Sequence, residues 1–187
     1  MYVRPLACLT ALTLLMAVSC AKSPDNTKQE SFESGQRYFD QKKYPEAILE
    51  YRKAVQADAR FGEARYRLGE AYEKTGDVEK AYGEYARAAD LMPDNIDAQL
   101  KTGFALLLSG QFEDARTRAR KVVEKDEKNV KGQVLMAQAS AGLKEFDTAI
   151  ADLNKAIAAM PGEVGLRLTL GEILFGQQEA GGRAGLP

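Results

Sequence analysis

Acid–base and nucleophilic chemistry have little to draw on in this chain. Histidine, the commonest general base and metal ligand, is absent. The two cysteines, Cys8 and Cys20, both fall within the first 20 residues. Everything after residue 20 therefore lacks a disulfide, a thiolate nucleophile and a Cys/His zinc site. Carboxylates are plentiful but scattered at helical spacing, the pattern of a solvated surface. No nucleophile–base set can be assembled, so the sequence predicts a protein that is not an enzyme and needs no cofactor or metal. Without residues 1–19 the chain carries 25 basic and 27 acidic side chains, which gives no basic footprint for nucleic acid.

Cys20 is the one residue with an expected covalent fate. It follows a short start containing Arg4 and an uncharged run from Pro5 to Val18. A basic start, a short apolar stretch and small residues before a cleavage point describe a secretory signal, here residues 1–19. The run is shorter than the ~20 residues that span a bilayer. The junction Ala17-Val18-Ser19-Cys20 resembles a bacterial lipobox, although Ala17 replaces the usual leucine. That resemblance implies acylation of Cys20, with lipid chains holding the protein at a membrane by about 0.8 kcal/mol per buried methylene. Ala21 stands where aspartate would favour the inner membrane, so the resemblance points to the outer membrane, facing the periplasm. Residues 20–27 then read as the lipidated cysteine and a polar tether.

The elements beyond the tether repeat every 34 residues without gaps: 28–61, 62–95, 96–129 and 130–163, with a partial unit at 164–187. The eighth position holds Gly35, Gly69, Gly103, Ala137 and Gly171. The twentieth holds Ala47, Ala81, Ala115 and Ala149, and the twenty-seventh Ala54, Ala88, Val122 and Ala156. Small residues at these spacings let two amphipathic helices cross closely, and larger ones would overpack the crossing. Thr75-Gly76-Asp77 and Ser109-Gly110 suit first-helix ends, while Met92-Pro93 and Met160-Pro161 suit second-helix ends. Tyr51 and Tyr85 should fill the space between hairpins. The pattern predicts helices at 28–41, 45–58, 62–75, 79–91, 95–108, 113–126, 129–141, 146–159 and 163–176.

These positions resemble the tetratricopeptide-repeat (TPR) pattern, most closely in Leu68-Gly69, Tyr72, Ala81, Tyr85, Ala88 and Pro93. The tryptophan common at the fourth position is missing; Ser31, Arg65, Gln99, Gln133 and Arg167 stand there. Taken with Cys20, the likeness is to bacterial TPR lipoproteins. It implies an all-α fold, a right-handed α-solenoid of four full repeats plus the first helix of a fifth, with a concave binding face.

In that family, first-helix residues at set positions line the groove. Carried over, they give Phe32, Phe39, Glu63, Tyr66, Glu70, Glu73, Leu100, Phe104, Leu107 and Val134 as the partner-binding set. Phe104, Tyr66 and Leu100 are the expected anchors. The second repeat offers three carboxylates beside Tyr66, which suits a basic or amphipathic segment. The ninth positions, Gln36, Glu70, Phe104 and Gln138, lack the asparagine of TPR domains that grip chaperone C-termini.

The resemblance thus implies a non-catalytic scaffold tethered to the cell envelope. Its partner would be a protein or peptide, not nucleic acid or a small-molecule substrate, and it would meet the membrane through its lipid alone. Envelope assembly, secretion or export are the processes served by such proteins. The alternative is the partner-binding arm of a longer protein. A related expectation concerns the fifth unit, which breaks off after one helix into the glycine-rich run from Gly176. The chain would then be a piece of a longer array, unless helix 163–176 is itself the cap.

Overall fold

The computed structural model describes residues 24–184. Signal, lipobox and Cys20 lie outside the described residues. Within them the chain forms nine helices and no strand: α1 (Pro24–Asp40), α2 (Tyr44–Ala57), α3 (Gly62–Thr75), α4 (Val78–Leu91), α5 (Ile96–Leu108), α6 (Phe112–Lys125), α7 (Val130–Gly142), α8 (Phe146–Ala159) and α9 (Val164–Ala184). Each helix packs on the next, and α5, α7 and α9 also pack on one another in series. The result is an α-solenoid with a core that runs along the stack.

The helix ends repeat with the sequence. Each first helix closes on a residue in the left-handed region: Lys42, Gly76, Gly110 and Lys144, at φ of 60°, 81°, 75° and 65°. The next amide donates back to the carbonyls of Tyr38, Tyr72, Leu106 and Ser140 at 2.9–3.0 Å. Two of these turns carry the expected glycine, and two place a lysine in a conformation that costs a side-chain-bearing residue roughly 1–2 kcal/mol. Asn95 and Asn129 cap α5 and α7, accepting from the amides of Ala98 and Gly132 at 2.9 and 3.0 Å.

Small residues do what their spacing implies. A Cβ on Gly35 would stand 2.5 Å from the Tyr51 ring, and one on Gly69 2.8 Å from the Tyr85 ring. The two tyrosines thus lie over glycines of their own hairpin, rather than only between hairpins. Tyr51 also meets Phe32, which meets Phe61, the last residue of the first repeat, just before α3. In the third repeat Ala119 occupies the tyrosine position, and Leu135 of α7 fills the space, 2.4 Å from a Cβ on Gly103. A large residue moves from the second helix to the following first helix, and the density is kept.

The fourth position, where tryptophan is missing, has a shared role that spacing did not announce. Arg65 Nε donates to the Ala59 carbonyl at 2.9 Å, Gln99 Nε2 to Pro93 at 3.2 Å and Gln133 Nε2 to Glu127 at 2.9 Å. Arg167 donates in the same way to Pro161. Each side chain reaches back six residues and ties the inter-repeat turn to the new helix. Gln99 is fully buried; its Nε2 also donates to the Ala89 carbonyl, and its Oε1 accepts from Arg118.

Two expectations about the ends need correction. Residues 24–27 of the polar tether belong to α1. Proline is at home in a first turn, where its missing N–H has no helical partner, and Lys28 pins the turn to Asp58 at 3.0 Å. At the other end, α9 does not stop at 176 but runs to Ala184. Glycine costs a helix about 1 kcal/mol relative to alanine. Yet Gln177-Gln178-Glu179-Ala180 are all helix-compatible, and Gln177 donates to Asp147 Oδ1 of α8 at 2.9 Å.

Candidate partner-binding face

The ten groove residues separate by burial. Phe32 and Leu100 are buried in the core at 5% and 6% exposure, so neither offers surface to a partner. Leu100 was an expected anchor; instead it packs with Leu106 and Leu135. Phe39, Phe104, Leu107 and Val134 are half-buried and lean on the same core clusters. Glu63 and Glu73 are exposed, and Tyr66 and Glu70 half-buried. Of the four fifth-position residues, Phe32 and Leu100 sink into the core, while Tyr66 and Val134 stay half-buried.

Three of the ten come together. Glu63, Tyr66 and Glu70 of α3 line an open cleft of about 470 Å³ with Arg67, Met92, Asn95 and Asp97. One face of α3 supplies Glu63, Tyr66, Arg67 and Glu70, which lie three or four residues apart. The turn that ends α4 brings Met92, and the capped start of α5 brings Asn95 and Asp97. Arg67 Nη1 binds Glu70 Oε2 at 2.8 Å and also feels the charge of Glu63, while Glu63 and Asp97 themselves make no direct ion pair among the described residues. Burial pushes the Tyr66 hydroxyl up to about 12, and Glu70 and Asp97 add to the effect. The phenol is therefore a neutral donor at physiological pH, its ring 5.5 Å from that of Tyr85.

Glu73 is committed elsewhere. It accepts from Tyr85 Oη at 2.6 Å and from Lys101 Nζ at 2.6 Å, bridging α3, α4 and α5. Burial acts to raise its carboxyl, but the bonds from Lys101 and Tyr85 outweigh that and hold it below the usual glutamate range. Tyr85 is driven above its ordinary value by burial and then by its bond to Glu73. Nothing in the residue spacing announces this cross-helix bridge, whose partners lie 12 and 28 residues apart. Arg67 was also missed, although its spacing to Glu70 is an i,i+3 pair.

A family profile described as TPR repeat matches residues 35–76, and one described as tetratricopeptide repeat matches residues 76–139. This is a tetratricopeptide-repeat protein. TPR solenoids are protein-interaction scaffolds, and the chain has that architecture. Among solved structures it is similar to a MamA protein at TM-score 0.70 and 19% identity, covering 83% of this chain and 87% of that one. It is also similar to MamA from Desulfovibrio magneticus RS-1, at TM-score 0.67 and 20% identity over 83% and 90% of the two chains. An AMB-1 MamA matches at TM-score 0.65 and 23% identity over 83% and 86%. At these identities the likeness is one of fold.

The described TPR residues hold no cluster of three or more acidic or cysteine side chains placed to grip a metal. No helix among them is long and apolar enough to cross a membrane.

Proposed function

We propose that this TPR protein is a non-catalytic scaffold of the bacterial envelope that holds a basic, amphipathic segment of a partner protein against α3 and α5. The observation that carries the proposal is the cleft at Tyr66. It offers an aromatic floor with a neutral hydroxyl, the apolar Met92 and two carboxylates outside any direct ion pair among the described residues, Glu63 and Asp97. A lysine or arginine would meet the carboxylates, and an apolar residue one turn away would lie on Tyr66 and Met92. Charge would steer the encounter, and the aromatic contact would supply most of the affinity.

Acylation at Cys20 is the tethering half of the reading and rests on the lipobox-like junction at residues 17–20. Outer-membrane placement facing the periplasm, and service in assembly, secretion or export, belong to the same proposal.

Panning the purified protein against a peptide library and fitting the enriched positions tests the cleft. Enrichment of a basic residue one helical turn from an apolar one is the expected outcome. Tyr66→Ala should weaken the selected peptide by about 2 kcal/mol, roughly thirtyfold, with helical content unchanged. Selection of acidic peptides, or binding indifferent to Tyr66→Ala, would place the partner elsewhere. For the tether, Cys20→Ala should abolish fatty-acid labelling and leave the protein in the soluble or precursor fraction. Labelling that survives the substitution ends the lipidation reading.

A further inference from the structure

The junction between the third and fourth repeats departs from the two junctions before it. A pocket of about 210 Å³ opens there between the end of α6, the start of α7 and the body of α8, with Val123, Met136 and Met160 as apolar walls. Two half-buried side chains give it polar groups: Gln133, the fourth residue of its repeat, and Asp152, the twenty-third.

In the same register upstream, an arginine of the chain itself joins the fourth and twenty-third positions. At the first junction Arg65, a fourth residue, donates from Nη1 to Oε2 of Glu84, a twenty-third residue, at 2.8 Å. At the second junction the arginine comes from the opposite wall. Arg118, a twenty-third residue, donates to Oε1 of the fourth-position Gln99 at 3.2 Å and to Asp90 Oδ1 at 2.8 Å. Both arginine side chains are sunk into the surface, at 13% and 17% exposure.

The third junction keeps the acceptors and has no arginine at either position. Gln133 stands in register with Gln99, Asp152 with Glu84 and Glu124 with Asp90. Gln133 spends its Nε2 on the Glu127 carbonyl, and among the described residues no hydrogen bond reaches its Oε1 or the carboxylates of Asp152 and Glu124. Ala159 stands where Leu91 and Lys125 stand upstream, which takes bulk from the same wall. A guanidinium suits such a set, being planar, permanently charged and able to lay its aliphatic stem along apolar walls. The lysines that also line the pocket do not oppose it. Lys155 is in register with Arg87, and Arg87 shares Glu84 with Arg65 at the first junction, each at 2.8 Å. Lys128 is offset by the neighbouring Glu127. All three walls lie inside the stack, and neither upstream arginine takes a partner from the hairpin beyond it, so the opening does not depend on where the stack ends.

We propose that the slot between α6, α7 and α8 receives an arginine side chain of a partner protein, with its guanidinium on Gln133 Oε1 and Asp152 and its stem along Met136 and Met160. In both upstream junctions the arginine arrives on a helix, α3 or α6, which is the reason for assigning a protein side chain rather than a free amino acid. The slot is built on the second helices α6 and α8, and the Tyr66 cleft on α3 and α5, so either reading can fail without the other.

The probe is Nα-acetyl-arginine-N-methylamide, titrated into the isotope-labelled full chain and followed by nuclear magnetic resonance. Saturable shifts are expected at the Gln133 side-chain amide and at the backbone amides around the slot. The citrulline analogue, which has the same shape without the charge, should bind about tenfold more weakly or worse. Asp152→Asn should weaken the arginine probe about tenfold while circular dichroism stays unchanged. Gln133→Arg sets an arginine against Asp152 as Arg65 is set against Glu84. It should abolish probe binding and raise the melting temperature, which separates a filled slot from a damaged fold. Absence of saturable shifts, equal binding of the citrulline analogue, or indifference to Asp152→Asn overturns the proposal. Free L-arginine binding about tenfold more tightly than the capped probe would give the slot to a small molecule. A dimer in sedimentation that Gln133→Arg dissolves would give it to a second copy. Either result also overturns the proposal.

Discussion

Glu73 shows how the same residue type takes different roles in neighbouring places. It sits one helical turn from Glu70, and both were expected to face a partner, yet only Glu70 lines the cleft. Glu73 is held by Lys101 and Tyr85. Its carboxyl is depressed in the folded chain relative to the ordinary 4.5, so the bridge favours the folded state while the group is ionised. That contribution is fully present above the ordinary glutamate range and is lost as pH falls through the lower, folded value. Glu73→Gln should therefore lower stability at neutral pH and flatten the acid side of the stability profile. Chemical denaturation at a series of pH values between about 3 and 7 reads this directly. An acid limb identical to wild type would show the bridge to be energetically silent.

Among the elements, the turns that close the first helices carry the most instructive mismatch. Gly76 and Gly110 stand in the left-handed region at little cost, and Lys42 and Lys144 stand there without the excuse of a missing side chain. The carbonyl of Ser140 accepts from the Glu145 amide all the same, so the geometry of the turn is imposed by the crossing it serves. Lys144→Gly should then stabilise the protein by about 0.5–1 kcal/mol, the relief of strain less the added entropy of glycine in the unfolded chain. Thermal melting checks it; a loss of stability would mean that the lysine side chain makes a contribution larger than its strain. The fourth-position clasps belong to this scale as well. Arginine or glutamine there reaches the preceding turn, a job that neither residue's propensity foretells.

For the whole stack, one repeat position supports opposite outcomes. Gly103 and Gly171 are both eighth residues of their units. A methyl group at 103 would press on the fully buried Leu135, which has nowhere to retreat. Gly103→Ala should lower stability by about 1 kcal/mol net, overpacking outweighing the gain in helix propensity. Gly171→Ala meets open space and should raise stability by about 1 kcal/mol. Urea denaturation of the two variants decides the matter, and equal shifts of the same sign would contradict the difference in covering between α5 and α9.

Much of this protein was legible because a solenoid is built from local rules. Period, small-residue positions and turn residues fix each hairpin from within about 34 residues of sequence. Seven of the nine helices accordingly begin and end within a residue or so of where the pattern puts them. The two at the ends escaped. Pro24 could begin a helix as readily as a linker, and glycines at 176 and 181 were read as an end where α8 in fact supports continuation.

The binding face was legible only in outline. Side chains at groove positions were named from register alone, and register does not say how far a following helix closes over a residue. Phe32 and Leu100 went into the core because Tyr51, Phe61 and Leu135 pack on them, contacts that span 19 to 35 residues. Tyr66 and Glu70 stayed half-open because the α4–α5 turn stands off and brings Met92 and Asp97 to the rim instead. Repeat architecture and the absence of histidine were written in the chain itself. Which apolar residues remain for a partner, and which carboxylates are already taken, depends on the crossing of helices that only the tertiary structure sets.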